Sequence, residues 1–259
     1  MSVPEPLLRD GAAPVVIAHR GACAVAPENT MAAFRAAWEA GARWLETDVQ
    51  PTADAGLVLI HDDEVDRTTD GTGQVRELTT AALTGLDAGS WFGPSFAGAP
   101  VPTLDDLLAE ITGDRRLLLE IKGEHTPDQV ASIVQAVRAA GAEQRVLLQS
   151  FEVPVLRRLR AILPVEPIGL LVEDVGDDPV GDCHDLGAVT YNPYVGAVLE
   201  RPEVVKTLHA AGIAMMPWTS DDPEQWMALS DLGVDGIITN DPAALLGWQD
   251  QRAAGGPAS

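Results

Sequence analysis

The sequence predicts an α/β protein, a single (β/α)8 TIM barrel over residues 1–259 with a small insertion after its first hairpin. Three observations predict this fold. Short apolar runs alternate with segments of helical periodicity. A sequence pattern also recurs, in which a predicted helix ends on glycine and a predicted strand follows. One apolar run also follows its predecessor too closely for a parallel crossover. Together these features favour repeated βα units around a parallel sheet.

Nine apolar runs are candidate strands. They cover residues 15–19, 44–49, 57–62, 117–122, 146–151, 168–172, 188–192, 213–218 and 236–240. Only the segment QPTADAG separates Val49 from Leu57, whereas a parallel crossover needs about a dozen residues or more. The run 57–62 is therefore predicted to return as a hairpin arm, which leaves eight strands for a barrel. A doubly wound open sheet is the alternative architecture.

Helices are predicted between several of these strands. One apolar stripe at helical spacing consists of Val130, Ile133, Val134 and Val137. A second helix is predicted from about residue 202 to residue 212, because proline suits a first helical turn. Phrases such as AAGAEQRVLLQ and DLGVDGIIT end a helix on glycine, which tolerates the left-handed backbone found just past helix ends.

Residues from about 63 to 103 break this rhythm. They are rich in Gly, Thr and Asp and include the segments DRTTDGTGQV and DAGSWFGPSFAGAP. An insertion on this side of a barrel is predicted to form a lid or wall beside a site. A passive long loop fits the composition equally well.

The charge balance disfavours several classes of partner. The chain has 39 acidic and 17 basic residues, a formal net charge of -22, so nucleic acid and stable membrane association are disfavoured. Two cysteines, Cys23 and Cys183, are too few for a disulfide framework. The N-terminal residues do not resemble a signal peptide. These features predict a cytoplasmic protein, in which a phosphate ligand would need a local cationic site.

Charged side chains interrupt the otherwise apolar strands in pairs. Residues two apart on a strand face the same way, so Glu46 and Asp48 project together, as do Glu120 and Lys122. In a barrel, polar residues at the carboxyl ends of the strands converge on one mouth. His19, which ends the first strand, is expected at the same mouth. His61, which ends the hairpin arm, is expected there too.

Converging carboxylates would repel one another unless a cation lies between them. Glu46, Asp48 and Glu120 supply only oxygen ligands, which suit one divalent cation, Mg²⁺ or Ca²⁺. With that cation, the charges of Arg20 and Lys122 would leave one net positive charge for a phosphodiester to neutralise. The two histidines would suit general acid–base work beside it.

Several residues have simpler interpretations. In the segment PENT, Asn29 or Thr30 is expected to cap the first helix, and Glu28 is expected to be a helix-start carboxylate. Trp218 is either barrel packing or an aromatic wall for the carbon part of a substrate. The remaining histidines are interpreted as incidental: His125, His184 and His209.

The motifs taken together resemble one family. They are HRG, PENT and AF (19–34), ETDVQPTAD (46–54), HD (61–62), RTTDGTG (67–73), PTLDDLL (102–108), EIK (120–122), QSF (149–151) and GVDGIITNDP (233–242). In this order they resemble the glycerophosphodiester phosphodiesterases over nearly the whole chain. One departure is Ala55, an extra residue between Asp54 and Gly56, which concerns the turn rather than the chemistry.

The resemblance implies a barrel with an insertion after the HD motif and a role in glycerol and lipid metabolism. It implies hydrolysis of a small-molecule glycerophosphodiester to glycerol 3-phosphate and an alcohol, with the substrate's neighbouring hydroxyl as the first nucleophile. By the same resemblance, residues 63–103 would contribute to glycerol recognition. The roles that it implies are acid–base chemistry for His19 and His61, cation binding for Glu46, Asp48 and Glu120, and phosphate contacts for Arg20 and Lys122.

Two other functions remain open at the level of sequence. A phospholipase-like enzyme of the same barrel group would need an apolar rim, for which the insertion offers only Trp91, Phe92 and Phe96. A phosphate-binding protein without activity would have lost a ligand or an acid–base residue, whereas all of them are present. A homodimer is compatible with the sequence, although no feature favours one.

Overall fold

The strands form one sheet that curls into a nearly closed barrel. The structure is a computed structural model that describes residues 7–9 and 12–255; the ends of the predicted domain, 1–6 and 256–259, lie outside the described residues. The strands are β1 (Val15–His19), β2 (Trp44–Pro51), β3 (Leu57–Leu59), β4 (Arg116–Ile121), β5 (Val146–Ser150), β6 (Ile168–Val172), β7 (Thr190–Pro193), β8 (Ala214–Met215) and β9 (Gly236–Thr239).

Eight of these strands run parallel in the order β8-β7-β6-β5-β4-β2-β1-β9. β3 lies outside this path and pairs antiparallel with β2, with Val49 opposite Leu59. The predicted hairpin and the predicted barrel are therefore confirmed, and the doubly wound alternative is wrong. The short link between β2 and β3 turns through Ala55, the extra residue in the motif, whose φ of 64° lies in the left-handed region.

The seam of the barrel lies between β8 and β9. β8 is shorter than the predicted run 213–218, because Pro217 has no amide hydrogen to continue a ladder. Backbone hydrogen bonds outside the assigned strands cross the gap instead. Asp235 N–H donates to the Met215 carbonyl at 2.9 Å, and Ile238 N–H donates to the Pro217 carbonyl at 3.0 Å. These bonds bring the two edges of the sheet together.

Helices surround the sheet. They are α1 (Met31–Glu39), α2 (Thr80–Thr84), α3 (Leu104–Leu108), α4 (Pro127–Ala139), α5 (Val153–Ile162), α6 (Pro179–Leu186), α7 (Val195–Glu200), α8 (Glu203–Ala210), α9 (Pro223–Leu232) and α10 (Pro242–Gly255). The predicted apolar stripe is the buried face of α4. The helix predicted from residue 202 is α8, with Pro202 as its N-cap residue. In the described part of the chain, no helix combines the length and the apolar character that a membrane crossing requires.

An apolar plug fills the barrel below its mouth. It consists of the buried side chains of Ile17, Leu118, Leu147, Met216 and Ile238. Because alternate residues of a strand share a face, Ile17 lies on the same face as His19 and Leu118 on the same face as Glu120. The plug therefore supports the polar residues at the carboxyl ends of the strands from beneath.

The insertion has a small core of its own. Val58 and Ile60 of the hairpin pack with Val65, Val75, Leu83, Ala88 and Val101. Two 3-10 helices, Val75–Glu77 and Pro94–Phe96, and the short helix α2 complete the segment. Its backbone returns to the hairpin, where Leu59 N–H donates to the Pro102 carbonyl at 2.9 Å. A packed wall therefore describes this segment better than a passive loop.

The loop after β4 is held from both sides by arginines. Arg76 of the insertion donates to the carbonyls of Lys122 and Glu124, and Arg158 of α5 donates to the His125 carbonyl at 2.6 Å. The His125 side chain is buried, and its Nδ1 lies 3.2 Å from the Gly123 carbonyl. Burial is the main reason that the pKa of His125 falls to about 4. His125 is thus a core residue of this loop rather than an incidental one.

Replacing His125 by Gln is expected to weaken the acid dependence of stability. In the unfolded chain the imidazole binds a proton near pH 6.5, whereas in the folded chain it does so only near pH 4. The wild type therefore loses stability as the pH falls from 6.5 to about 4, by about 3 kcal/mol when complete. Urea unfolding at pH values above and within this window measures the difference.

The exposed His184 on α6 provides the matched control. His184→Gln should keep the wild-type dependence on pH, whereas His125→Gln should reduce it. Equal dependence in the wild type and in His125→Gln would contradict the assignment of this titration to His125.

Candidate active site

The register of three neighbouring strands brings the predicted residues to one mouth of the barrel. His19 on β1 is paired with Glu46 on β2, and Asp48 on β2 is paired with Glu120 on β4. Glu46 and Asp48 share a face of β2 because they are two residues apart. The sheet itself therefore determines the positions of these four side chains, and no loop is needed to assemble them.

Glu46, Asp48 and Glu120 form a buried cluster of carboxylates. Each offers an oxygen that lies within 4.8 Å of the other two. Burial first, and then the charges of Asp48 and Glu120, raise the pKa of Glu46 well above its ordinary value. Burial and the charge of Asp48 raise the pKa of Glu120 to about 7. Two of the three groups thus resist ionisation unless a cation binds, and their oxygens suit a hard divalent ion.

Asp48 has the opposite tendency. Burial alone would raise its pKa, but the charges of Arg20, His61 and Lys122 outweigh burial and hold the pKa below its ordinary value. Lys122 Nζ lies 3.1 Å from Glu120 Oε1 and 4.0 Å from Asp48 Oδ1. Asp48 is therefore the carboxylate of the cluster whose ionised form its neighbours favour.

Arg20 enters the site through an unusual backbone conformation. Its φ is 52°, its amide N–H donates to Glu46 Oε2 at 3.2 Å, and its Nε lies 3.5 Å from Asp48 Oδ2. Gly21 follows with a φ of 84°, and a Cβ there would lie 2.6 Å from the backbone carbonyl carbon of Ala33. The chain can turn so tightly against α1 only because residue 21 has no side chain.

The segment PENT does more than begin a helix. Thr30 is the N-cap of α1, since its hydroxyl accepts from the Ala33 N–H. Asn29 instead lies in the site: its Nδ2 donates to Asp48 Oδ2 at 2.9 Å, and its Oδ1 accepts from the Thr47 hydroxyl. The cap expected at Asn29 or Thr30 is therefore confirmed, at Thr30. Asn29 supports a carboxylate of the cluster, a role that the sequence analysis missed.

Glu28 is not a helix-start carboxylate. It precedes α1, and its carboxylate accepts from Arg20 Nη1 at 2.8 Å and from two nitrogens of Arg67, both at 2.8 Å. The expectation for Glu28 is therefore wrong, and the physical reason is charge. Two guanidinium groups attract the carboxylate away from the helix terminus.

His19 is held by a side chain that directly follows the last strand. Asn240 donates from its backbone N–H and its Nδ2 to the carboxylate of Asp221, at 2.8 and 2.6 Å. This leaves Asn240 Oδ1 to face His19 Nδ1 at 2.7 Å, so that Nδ1 donates and Nε2 carries the free lone pair. Burial, followed by the charge of Arg20, lowers the pKa of His19 to about 4. Neutral His19 can therefore accept a proton at Nε2.

His61 is held by its neighbour in the chain. Its Nδ1 donates to Asp62 Oδ1 at 2.7 Å, and Asp62 in turn accepts from Arg67. Burial is the main reason that the pKa of His61 lies below its ordinary value, although Asp48 and Asp62 act in the other direction. Asp62, Arg67 and Asn240 lie in the motifs of the sequence analysis and Asp221 does not, and only their contacts reveal that these residues support the histidines.

A cavity of about 590 Å³ opens above these groups. His19, Arg20, His61 and Lys122 line it beside the carboxylates, and the remaining wall includes Asp63, Gln149, Phe151, Glu152, Glu173 and Trp218. The structure thus brings together all eight residues singled out from the sequence. The cavity is large enough for a small organic phosphate.

Trp218 packs at the end of the barrel and also lines the cavity. Its Nε1 donates to the Asn192 carbonyl at 3.0 Å, and its ring meets Phe151 edge to face at 5.5 Å. The same ring lines the cavity. In the insertion, Phe92 meets Trp91 and Phe96 edge to face, at centroid distances of 5.6 and 5.5 Å, and Trp91 remains exposed.

Comparison with known proteins places this site in a family. A profile described as the "Glycerophosphoryl diester phosphodiesterase family" matches residues 19–244. The chain is 39% identical over 236 residues to a glycerophosphodiester phosphodiesterase of Caldanaerobacter subterraneus subsp. tengcongensis, covering 90% of this chain and 96% of the relative. It is 31% identical to a glycerophosphodiester phosphodiesterase of Bacillus altitudinis, over 88% of this chain and 94% of that one.

Solved structures agree with the sequence matches. A phosphodiesterase of Oleispira antarctica, solved in complex with the product sn-glycerol-3-phosphate, superposes with a TM-score of 0.85 at 29% identity, over 92% of this chain and 97% of the other. A glycerophosphodiester phosphodiesterase of Agrobacterium tumefaciens superposes with a TM-score of 0.81 at 31% identity, over 90% and 99%. With its barrel and the profile match from the first strand to the last helix, the chain belongs to the glycerophosphoryl diester phosphodiesterase family of enzymes.

Proposed function

We propose that the chain hydrolyses glycerophosphodiesters to glycerol 3-phosphate and an alcohol, by histidine acid–base chemistry at a divalent cation site. The observation that carries the proposal is the cluster of Glu46, Asp48 and Glu120, whose oxygens lie within 4.8 Å of one another at the mouth of the barrel. A cluster of buried carboxylates in a phosphodiesterase barrel is best explained by a bound cation.

The three carboxylates would hold one divalent cation, Mg²⁺ or Ca²⁺. When bound, the cation would supply positive charge to the phosphoryl oxygens of the substrate. The pKa values of Glu46 and Glu120 are raised by burial first and by repulsion second, and a bound cation would stabilise the charged forms against both. Asn29 keeps the Asp48 carboxylate in a fixed orientation through its amide hydrogen bond.

Arg20 and Lys122 would contact the substrate phosphate. Both line the cavity, and both lie beside the carboxylate cluster rather than at the outer surface. The carboxylates Glu120 and Asp48 outweigh burial and raise the pKa of Lys122, so the amine stays charged. In a protein of net charge -22, these two side chains supply the local cationic site that an anionic substrate requires.

His19 and His61 would transfer protons at their Nε2 atoms. In each ring the Nδ1 hydrogen is engaged, by Asn240 and by Asp62, so that the other nitrogen faces the cavity. One histidine would take the proton of the attacking hydroxyl, and the other would donate a proton to the leaving oxygen. An attacking hydroxyl in the substrate itself would need no separate positioning. Trp218 and Phe151 would pack against the carbon part of the substrate.

The wider setting follows from the same features. We expect a single barrel domain with the insertion at 63–103, acting in the cytoplasm on a water-soluble substrate. The strongly acidic composition disfavours anionic lipid surfaces. Among the three aromatic residues of the insertion only Trp91 is exposed, a small apolar surface for an intact lipid.

Removal of the cation is expected to abolish activity. Purified protein treated with EDTA should release no glycerol 3-phosphate from glycerophosphocholine, because the buried carboxylates would repel the phosphate. Added Mg²⁺ or Ca²⁺ should restore release, measured by a coupled assay with glycerol-3-phosphate dehydrogenase. Full activity in excess chelator would exclude a dissociable cation, and a metal-replete protein inactive on a panel of glycerophosphodiesters would refute the proposed reaction.

Replacement of either acid–base histidine is expected to lower kcat by about 10² to 10⁴-fold, the usual contribution of a positioned proton-transfer group. His19→Ala and His61→Ala should retain the folded circular dichroism spectrum of the wild type. His184→Ala, at an exposed position on α6, is the matched control and should keep wild-type kcat. If His19→Ala were as active as this control, proton transfer by His19 would be disproved.

A substrate comparison tests the preference for soluble diesters. Glycerophosphocholine and lysophosphatidylcholine carry the same phosphodiester and headgroup, and they differ in the acyl chain. We expect kcat/KM to be at least about 10-fold higher for the soluble compound, because a favourable acyl contact would need a buried apolar surface. Equal or faster turnover of the lysolipid would show that the phospholipase-like alternative is correct.

A further inference from the structure

One arginine of the insertion binds two carboxylates at once. Arg67 donates from Nε and Nη2 to Asp62, at 2.5 and 3.1 Å, and from Nη1 and Nη2 to Glu28, both at 2.8 Å. We infer that Arg67 is a positioning residue, which orients His61 through Asp62 and Arg20 through Glu28. The inference rests on the proposed function, because it concerns the groups that would act there.

The contact of Arg67 with Asp62 leads to His61, a proposed proton-transfer group. Asp62 Oδ1 accepts from His61 Nδ1 at 2.7 Å, and both oxygens of Asp62 also accept from Arg67. With both oxygens engaged, the carboxylate cannot rotate about its terminal bond. The imidazole is thereby fixed in one tautomer, with Nε2 toward the cavity that His61 lines.

The contact of Arg67 with Glu28 leads to Arg20, a proposed phosphate contact. Glu28 Oε1 accepts from Arg20 Nη1 at 2.8 Å, while Arg67 binds both oxygens of the same carboxylate. Arg20 is also attracted to Asp48, 3.5 Å from its Nε. Glu28 opposes that attraction only while its own carboxylate is held in place. Arg67 thus determines where the Arg20 guanidinium stands between two acidic groups.

The positions of Glu28 and Asp62 depend on the positive charge of Arg67. Glu28 and Asp62 share one guanidinium, and without it two like charges would face each other. The hydrogen bonds from Arg67 are the main cause that holds the pKa of Asp62 far below its ordinary value. Burial would raise the pKa of Glu28, but Arg67 and Arg20 together outweigh burial and lower it. Removal of Arg67 would let the two carboxylates move apart. His61 would then move with Asp62, and Arg20 would move with Glu28.

Lysine cannot replace the guanidinium here. The rigid fork of arginine reaches both carboxylates in a bidentate manner, whereas an ammonium group is a single point of charge. The Arg67 side chain is 47% exposed, and ion pairs at such positions contribute little to the free energy of unfolding. A substitution of Arg67 should therefore leave the fold intact and affect mainly the geometry of the site.

The experiment compares Arg67→Gln and Arg67→Lys with the wild type and with Arg35→Gln. Arg35 is also exposed and pairs with Glu110 at 2.7 Å, on α1 away from the cavity, so it is the matched control. With glycerophosphocholine as substrate, we expect kcat/KM to fall about 10²-fold in both Arg67 variants, as for other small misplacements of reacting groups. The effect should divide between kcat, through His61, and KM, through Arg20. Arg35→Gln should match the wild type.

Double-mutant cycles separate positioning from simple anchoring of the insertion. If Arg67 acts through Asp62, Asp62→Asn combined with Arg67→Gln should be about as slow as the slower single variant. Millimolar guanidinium should restore part of the activity of Arg67→Gln. Additive losses, or losses that only follow a lowered melting temperature without rescue, would overturn the inference.

A spectroscopic measurement tests the inference without any turnover. In ¹⁵N-histidine spectra of the wild type, His61 should show one protonated and one unprotonated ring nitrogen. The signals of His61 are assigned as those that disappear in the variant His61→Gln. In Arg67→Gln these signals should shift or average, while those of His184 remain in place. Unchanged His61 signals in Arg67→Gln would overturn the inference, whether or not the wild type is active. A wild type that hydrolyses no glycerophosphodiester would refute the proposed function and leave this measurement valid.

Discussion

The mutual repulsion of three buried carboxylates determines much of the surrounding structure. Glu46, Asp48 and Glu120 are brought together by strand register, so they cannot relax apart as surface groups would. Burial and repulsion act on them together, which is why two of them have raised pKa values. Arg20 and Lys122 reduce the repulsion from the sides, and a divalent cation would remove it from the centre.

A second layer of side chains orients the groups that face the cavity. Asp221 fixes the amide of Asn240, and that amide fixes the ring of His19. Asn29 does the same for a carboxylate from the turn before α1. These supporting hydrogen bonds restrict the rotation of each group, so that little reorganisation is left for the moment when a substrate binds.

The sequence predicts the parts of this molecule that depend on periodicity and chain length. The short link before Leu57 identifies the hairpin, and residue spacing places Glu46 and Asp48 on one face. β8 ends earlier than its apolar run because the missing amide of Pro217 outweighs hydrophobicity there.

Other features depend on contacts that no local pattern encodes. Glu28 has the sequence context of a helix start, but two arginines, one of them distant in the chain, determine where its carboxylate lies. Asn29 fits the pattern of a cap, and the backbone at its φ of 55° turns it toward Asp48 instead. His125 has no periodic partner, so its burial becomes evident only when α5 and the insertion close over the loop.

The apolar plug beneath the mouth has a further consequence: the cavity is a cup with a single rim. Solvent, substrate and products must all pass over that rim, which consists of the loops and the insertion. Because the carboxylates stand on strands below it, the rim can change in length or composition while the floor of the cup stays the same.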